Sequence, residues 1–521
     1  MRCGRFPTIS IHFSSLLWLV SIMLLKPLGA QKSIPVEPHI AEAQQYYIAN
    51  WKKSVRTLTH DSADFIGLPY PYSTPTLAGN QMFQEMYYWD SYFINCGLLA
   101  YGSHPQSDGE STADEKFAIQ QAINNCNNLI YLVNKFGFVP NANRFSMTNR
   151  SQPPLLGAMI TDIFEVTADT AWLRVALKAL EKEHHWWMEN RSLNLSPSEY
   201  AGIKVGKHDT ASLRLNHYGN SADDAFLLRF SKFLSGRLGP KFDSLYLSLN
   251  LDSFVGGYGQ KRPKGLRLDS HLLAEAESGW DFTTRFNARC MSIAPLDLNC
   301  LLYLSEKTLA TSYKTLKEHK KSREWQRQSK TRKALINKLF YNKHTGWYWD
   351  YDLAKREINF NHNAAQFMPY FVGLAKHNSG NKTALIRLSN TYIGKFGVYP
   401  CLPLSKDSSG IEANRVLWKT QWDSPNAWPP LTHFAAQAIE NYSNGQGKGR
   451  LTNLMLNIKR NQLILSFMES VEVQFAITQK FWEKYNIDYG TLQVVNEYPM
   501  PDFFGWTAGV YMEYRMEFEG H

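Results

Sequence analysis

Apolar residues recur along this chain at the 3.6-residue period of a helix buried on one side. Ile119, Ala122, Ile123, Cys126, Ile130 and Val133 share one such face, and Leu173, Ala176, Leu177, Leu180, His184 and Trp187 repeat it. Ahead of the first run, Thr112 and Glu115 stand at capping-box spacing, where a hydroxyl and a carboxylate satisfy the free amides of a helix start. The same period predicts helices near 39–58, 153–165, 221–235, 293–319, 322–341, 362–376, 382–396, 425–441 and 449–467. Alternating strand patterns are scarce, and turn-rich pieces intervene at 137–154, 250–265 and 399–410. No Ser/Gly/Pro linker, low-complexity tract or repeat divides the chain. Helices without a divider predict one large all-α domain. Closing helical hairpins into a ring lets each helix bury a face against its neighbours.

The first thirty residues follow a different pattern. Arg2 and Arg5 precede the apolar stretch LLWLVSIMLL at 16–25, and Pro27, Gly29 and Ala30 follow. A basic start, a short apolar core and a small-residue exit read as a secretory signal peptide cleaved after Ala30. The core falls short of the ~20 residues that a membrane-spanning helix needs. The expected product is a single domain over 31–521, secreted or periplasmic, monomeric, with no membrane span. Losing Arg2, Arg5 and Lys26 takes the net charge from +10 to +7. That balance carries no Lys/Arg block of the kind that binds nucleic acid; the patch at 261–264 with Arg267 reads as a solvated loop. Five cysteines remain, Cys96, Cys126, Cys290, Cys300 and Cys401, with no CxxC and no HExxH. Neither a metal nor an organic cofactor is expected. One or two disulfides are allowed in an exported chain, but no pairing can be read. The glycine-rich stretches at 256–259 and 445–449 lack phosphate-loop spacing.

Aromatic residues make up 14% of the chain, and they cluster aperiodically around carboxylates. The segments are QMFQEMYYWDSYF at 81–93, PNANRFSMTNRSQPP at 140–154, ESGWDF at 277–282, QWDSPNAWPP at 421–430 and NEYPMPDFFGWTAGV at 496–510. Glycoside hydrolysis needs two carboxyl groups astride the scissile bond, one protonated and one ionised. Aromatic neighbours supply stacking area and a low-dielectric wall that raises a carboxyl pKa. Asp281, after Trp280, and Glu497, ahead of a Tyr/Phe/Trp cluster, fit the two roles. The alternative for any one of these acids is a buried carboxylate that caps a helix or pairs with an arginine.

Taken in order, the five segments resemble the motifs of the trehalase family of glycoside hydrolases, from about Ala78 to the end of the chain. The resemblance implies an (α/α)6 toroid, in line with the count of helices, and a catalytic domain over 31–521. It places the general acid on Asp281 and the general base on Glu497. Sugar-binding positions fall on Trp89, Asp90, Asn141, Arg150, Ser151, Gln152 and Gly279, and the flanking Phe83, Trp280, Gln421, Trp422, Asp423 and Trp506 join the candidate set. The roles suit the chemistry: Arg150 can fork to ring hydroxyls, the amides of Asn141 and Gln152 donate and accept, and Asp90 can take two hydroxyl protons. Trp89 can cover an apolar sugar face, and Gly279 permits close backbone approach. Arg150 and Asp90 could instead pair with each other. The implied reaction is inverting hydrolysis of the disaccharide α,α-trehalose, with carboxyls about 6.5–9.5 Å apart to admit a water.

Two departures bear on the substrate. Met82 stands where the family carries an Arg. An Arg-Pro-x-Pro-Glu-Ser segment that contributes an Arg and a Glu to the sugar has no counterpart between RSQPP and ESGWDF. Pro501 and Ala508 also replace a usual Gln and Asn. A site built on hydroxyl hydrogen bonds discriminates strongly when partners are lost. Two other readings follow: a related inverting enzyme for another, even anionic, α-glucoside, or a secreted sugar-binding protein without turnover. The second has both catalytic carboxyls against it.

Overall fold

The computed structural model describes residues 37–104, 111–203, 213–238, 264–402, 420–443 and 450–519. The signal peptide expected at 1–30, the basic residues 261–263 and the glycine-rich stretches at 256–259 and 445–449 lie outside the described residues.

The described chain is mainly helical. In order run α1 (Glu37–Asn50), α2 (Tyr88–Ser103), α3 (Ala113–Phe136), α4 (Leu156–Thr167), α5 (Thr170–Asn190), α6 (Asp224–Leu238) and α7 (Lys264–Ser278). They are followed by α8 (Leu296–Thr315), α9 (His319–Leu339), α10 (Ser379–Tyr392), α11 (Pro429–Ser443), α12 (Arg450–Thr478) and α13 (Gly505–Glu519). Burial sorts them into two layers. α2, α8, α11 and α13 are buried nearly all round. α9 buries only a stripe that includes Trp325, Arg332, Leu335, Ile336 and Leu339. The inner layer closes on itself: α2 packs on α4, α4 on α8, α8 on the short helices Ala364–Phe367 and Met368–Phe371, these on α11, α11 on α13, and α13 back on α2. With α1, α3, α5, α9, α10 and α12 outside, this is an (α/α)6 toroid. The pair α6 and α7 is inserted between an outer and an inner helix.

The capping box forms as the spacing predicts. Glu115 N–H donates to Thr112 Oγ1 at 3.2 Å, and Thr112 N–H donates to Glu115 Oε2 at 2.8 Å. The helix expected over 362–376 is broken instead. Pro369 opens its second piece without an N–H to offer, and Gly373 turns out of it at φ +66. Small antiparallel ladders add what the helical pattern did not predict, among them the three-stranded sheet of Ile293–Ala294, Asp350–Asp352 and Glu357–Asn359. Cys96, Cys126, Cys290, Cys300 and Cys401 are free thiols.

Closing the ring requires two backbones to touch. A Cβ on Gly97 of α2 would lie 2.6 Å from Gly509 Cα, and one on Gly509 of α13 would lie 2.1 Å from the Phe93 carbonyl oxygen. Neither obstacle is a side chain that can swing away. Gly509→Ala is therefore expected to prise α13 from α2 and cost about 1–3 kcal/mol, the scale of an overpacked core. Thermal denaturation against wild type measures it.

Candidate active site

Four inner helices begin at one mouth of the ring, and the loops that lead into them surround a cavity of about 700 Å³. Trp89 and Asp90 come from the first turn of α2, Arg150 and Gln152 from the approach to α4, and Gln421, Trp422 and Trp428 from the approach to α11. Glu497, Tyr498, Phe504 and Trp506 lead into α13, while Gly279 and Asp281 follow the end of α7. Asn141 and Phe83 complete the predicted residues on the wall. Asp281 and Glu497, far apart in sequence, thus border one cavity. Both also lie within electrostatic reach of Tyr498 and Glu275.

Indoles build the floor. Trp422 and Trp428 stack with centroids 4.0 Å apart, and Trp89 sits edge-on to Trp506 at 6.0 Å. Gln152 Oε1 accepts the Trp89 N–H at 3.0 Å, which fixes the indole's backbone. Gly279 has φ +75, and a Cβ there would lie 2.8 Å from Trp89 Cζ2. The close approach that favours glycine is thus to the Trp89 ring.

The Asp281 loop is pinned from several sides. Gln421 Nε2 donates to the Asp281 carbonyl at 2.7 Å, and Trp422 N–H donates to the Phe282 carbonyl at 3.1 Å. Asp423 accepts from Thr283 Oγ1, from Thr284 N–H and Oγ1 and from Thr420 Oγ1. Below it Arg285, wholly buried, forks to Asp297 and Asp350 with all four contacts at 2.9–3.0 Å. The Glu497 loop is held by Asn426, which exchanges two hydrogen bonds with Val495. It is also held by Tyr498, whose hydroxyl donates to Glu483.

Three candidates stand behind the wall rather than on it. Ser151 is buried, with its hydroxyl donating to the Val139 carbonyl and its N–H to Glu277. Trp280 stacks on the back of Trp422 at 5.7 Å and under the Arg285 guanidinium. Asp423 spends its carboxylate on the threonines just named. Trp280 and Asp423 thus turn inward, while their neighbours Asp281 and Trp422 line the cavity. Asn141 and Gln421 do line the cavity, but each also sutures neighbouring loops: Asn141 Nδ2 donates to the Ser151 and Ala276 carbonyls.

Arg150 and Asp90 do not pair with each other among the described residues. Arg150 Nη1 donates to Asn149 Oδ1 at 2.9 Å; burial draws its pKa down against the opposing pull of Asp281. Burial pushes the Asp90 carboxyl up to about 8, with the charges of Glu483 and Asp281 adding to it. Near neutral pH Asp90 thus carries a proton it can donate to a sugar hydroxyl. An unfolded Asp titrates near 3.9, so the folded state binds the extra proton between about pH 4 and 8. Stability therefore falls as pH rises through that window. Asp90→Asn is expected to raise the thermal midpoint over wild type at pH 8 and to leave it nearly unchanged at pH 4.

Sequence reasoning passed over several wall residues. Glu483 lines the cavity and forms a buried ion pair at 2.6 Å with Lys484, which stands behind it over the Trp428 ring. Their loop carries no periodic or compositional signal. Phe65, Met147, Phe230 and Phe233 reach the cavity rim from three distant segments and, with Met82, make it apolar. Arg144 lines the same cavity and is ion-paired with Glu85 at 2.7 Å.

Comparison with known proteins adds a match to the Trehalase family over residues 31–225 and 248–518. The break at 226–247 falls on α6, the helix that carries Phe230 and Phe233. The chain is 28% identical over 504 residues to a periplasmic trehalase of Citrobacter koseri, covering 94% of this chain and 76% of that one. It is 27% identical over 503 residues to a periplasmic trehalase of Shigella flexneri, with the same coverage of 94% and 76%. Among solved structures, the neutral trehalase of Saccharomyces cerevisiae superposes with a TM-score of 0.60 at 21% identity, over 94% of this chain and 80% of that one. A GH63 mannosylglycerate hydrolase of Thermus thermophilus gives 0.52 at 15% identity, over 92% and 100%. These two likenesses concern the fold.

Proposed function

Since the chain belongs to the trehalase family of glycoside hydrolases, we propose that it hydrolyses α,α-trehalose to two glucose molecules with inversion. Asp281 protonates the glycosidic oxygen, and Glu497 takes a proton from the water that attacks the anomeric carbon on the opposite face. The observation that carries this reading is that the two carboxyls, on separately pinned loops, border one indole-floored cavity. Trp89 offers its face to a sugar ring, while Asp90, Asn141, Arg150 and Gln152 supply donors and acceptors for hydroxyls. The residue 1–30 pattern and the likeness to periplasmic trehalases support export to the periplasm.

The test is trehalose hydrolysis by residues 31–521, followed from the first seconds by proton NMR. Inversion yields one α- and one β-glucose from each trehalose. Two α-glucoses would mean retention and would discard the base role of Glu497. Binding without product, unaltered by Asp281→Ala, would support the reading as a sugar-binding protein.

One observation favours a second reading. Where the family match breaks, α6 brings Phe230 and Phe233 to the rim beside Met82, Met147 and Phe65. An apolar rim suits an α-glucoside whose second half is apolar better than an anionic one, particularly as Arg144 is neutralised by Glu85. Faster turnover of an alkyl or aryl α-glucoside than of trehalose would decide for it.

A further inference from the structure

Away from the catalytic cavity, three inner helices bring metal-ligating side chains together, and a fourth sets a carboxyl within electrostatic reach of them. Cys96 comes from α2, Asp162 from α4, His433 from α11 and Glu513 from α13. The ligand atoms of Cys96, His433 and Glu513 all lie within 4.8 Å of one another. The Asp162 carboxyl is within electrostatic reach of all three. None of the four borders the catalytic cavity, and the reaction proposed above uses none of them.

The imidazole is already oriented. His433 is 1% exposed, its Nε2 lies 3.0 Å from the Tyr92 hydroxyl and its Nδ1 lies 2.9 Å from Glu513 Oε2. A cation bound between Nδ1 and Glu513 Oε2 would displace the proton that these two atoms share, and Nε2–H would then donate to the Tyr92 hydroxyl. An outer hydrogen bond that sets the tautomer of a ligating histidine is the usual accompaniment of a metal site.

We propose that Cys96, His433 and Glu513 form a zinc site between the inner helices of the toroid, with a solvent oxygen as the fourth ligand and the Asp162 carboxyl as a nearby charge. One sulfur, one nitrogen and two oxygens suit a borderline, tetrahedral ion rather than the all-oxygen shells of magnesium or calcium. Ligands from facing helices are how helical bundles build such sites. Bound there, the ion ties three of the six inner elements together, so its role is structural.

The test uses residues 31–521 without a histidine tag, stripped with a chelator and titrated with cobalt(II) as a spectroscopic probe and then with zinc. The expected result is uptake of one cobalt per chain with a sulfur-to-cobalt charge-transfer band, its displacement by zinc, and a higher thermal midpoint with zinc than without. Cys96→Ser, at a partly exposed position, should keep the fold by circular dichroism and lose the band. Glu513→Gln and Asp162→Asn should each weaken zinc binding about tenfold or more. No stoichiometric uptake by wild type would overturn the site and leave an imidazolium–carboxylate pair in its place. Uptake unchanged in Cys96→Ser and Glu513→Gln would also overturn it, because the ion would then sit elsewhere.

Discussion

Asp281→Asn is expected to slow glucose release from trehalose by about 10²–10⁴-fold, the usual contribution of a positioned general acid, while the protein stays folded. The loop's anchors explain the second half. Gln421 holds Asp281 through its backbone carbonyl, and the neighbouring threonines are held by Asp423. An isosteric amide therefore removes the proton without loosening the loop. Glu497→Gln should cost as much, but the two variants must part company on a substrate whose leaving group needs no proton. On α-glucosyl fluoride, Asp281→Asn should recover most of the lost rate and Glu497→Gln should recover none. The pH profile splits in the same way: the first variant loses the limb that reports the acid, the second the limb that reports the base. If Asp281→Asn instead keeps a rate within a few-fold of wild type, the acid is a different residue. Asp90 is then the next candidate, since it borders the cavity with a pKa of about 8.

What could be read in advance divides along physical lines. The outer helices were legible because each faces solvent on one side. α5, with Leu173, Ala176, Leu177, Leu180, His184 and Trp187 inward, shows the 3.6-residue period plainly. α2 and α13 were not legible as helices. They are buried on nearly every side, so apolar and aromatic residues spread round the helix and the period blurs. For the same reason the segments holding Trp89, Asp90 and Trp506 read as aperiodic aromatic clusters. α7 was missed because it lies in the interval that matched no expected motif.

The candidate site was legible where chemistry stands beside an aromatic wall, as in Trp280-Asp281 and Gln421-Trp422. Sequence adjacency could not say which member of a pair faces the cavity. Asp281 and Trp422 do, whereas Trp280 and Asp423 support them from behind. Residues gathered from distant segments carried no signal at all. Phe65, Met147, Phe230, Phe233 and Glu483 meet only because the ring closes. The rim, where Met82 departs from the family, is thus the part of the site that needs the fold to be seen.

The largest effect on stability should come from Arg285→Met, a residue that touches no substrate. Its guanidinium is 0% exposed and is shared between Asp297 and Asp350. Asp350 also accepts from the Leu296 N–H and from Asn363 Nδ2, so the network joins the Asp281 loop, the start of α8 and the small sheet. Removing one partner of a buried ionic network leaves the others uncompensated, at about 3–5 kcal/mol. Two carboxylates are stranded here, so the upper part of that range is expected in a chemical denaturation curve. Arg285→Lys should rescue little, because a single ammonium cannot fork to two carboxylates at once. Two measurements separate a positional role from bulk destabilisation. Below the unfolding transition, Arg285→Lys should lower kcat for trehalose more than it raises KM, since the network underlies Asp281 and not the sugar-binding wall. The triple variant Arg285→Met, Asp297→Asn, Asp350→Asn should regain much of the stability, because no charge is then left buried without a partner, yet it should not regain kcat. A triple variant as active as wild type would show that the Asp281 loop keeps its place through Asp423 and Gln421 alone.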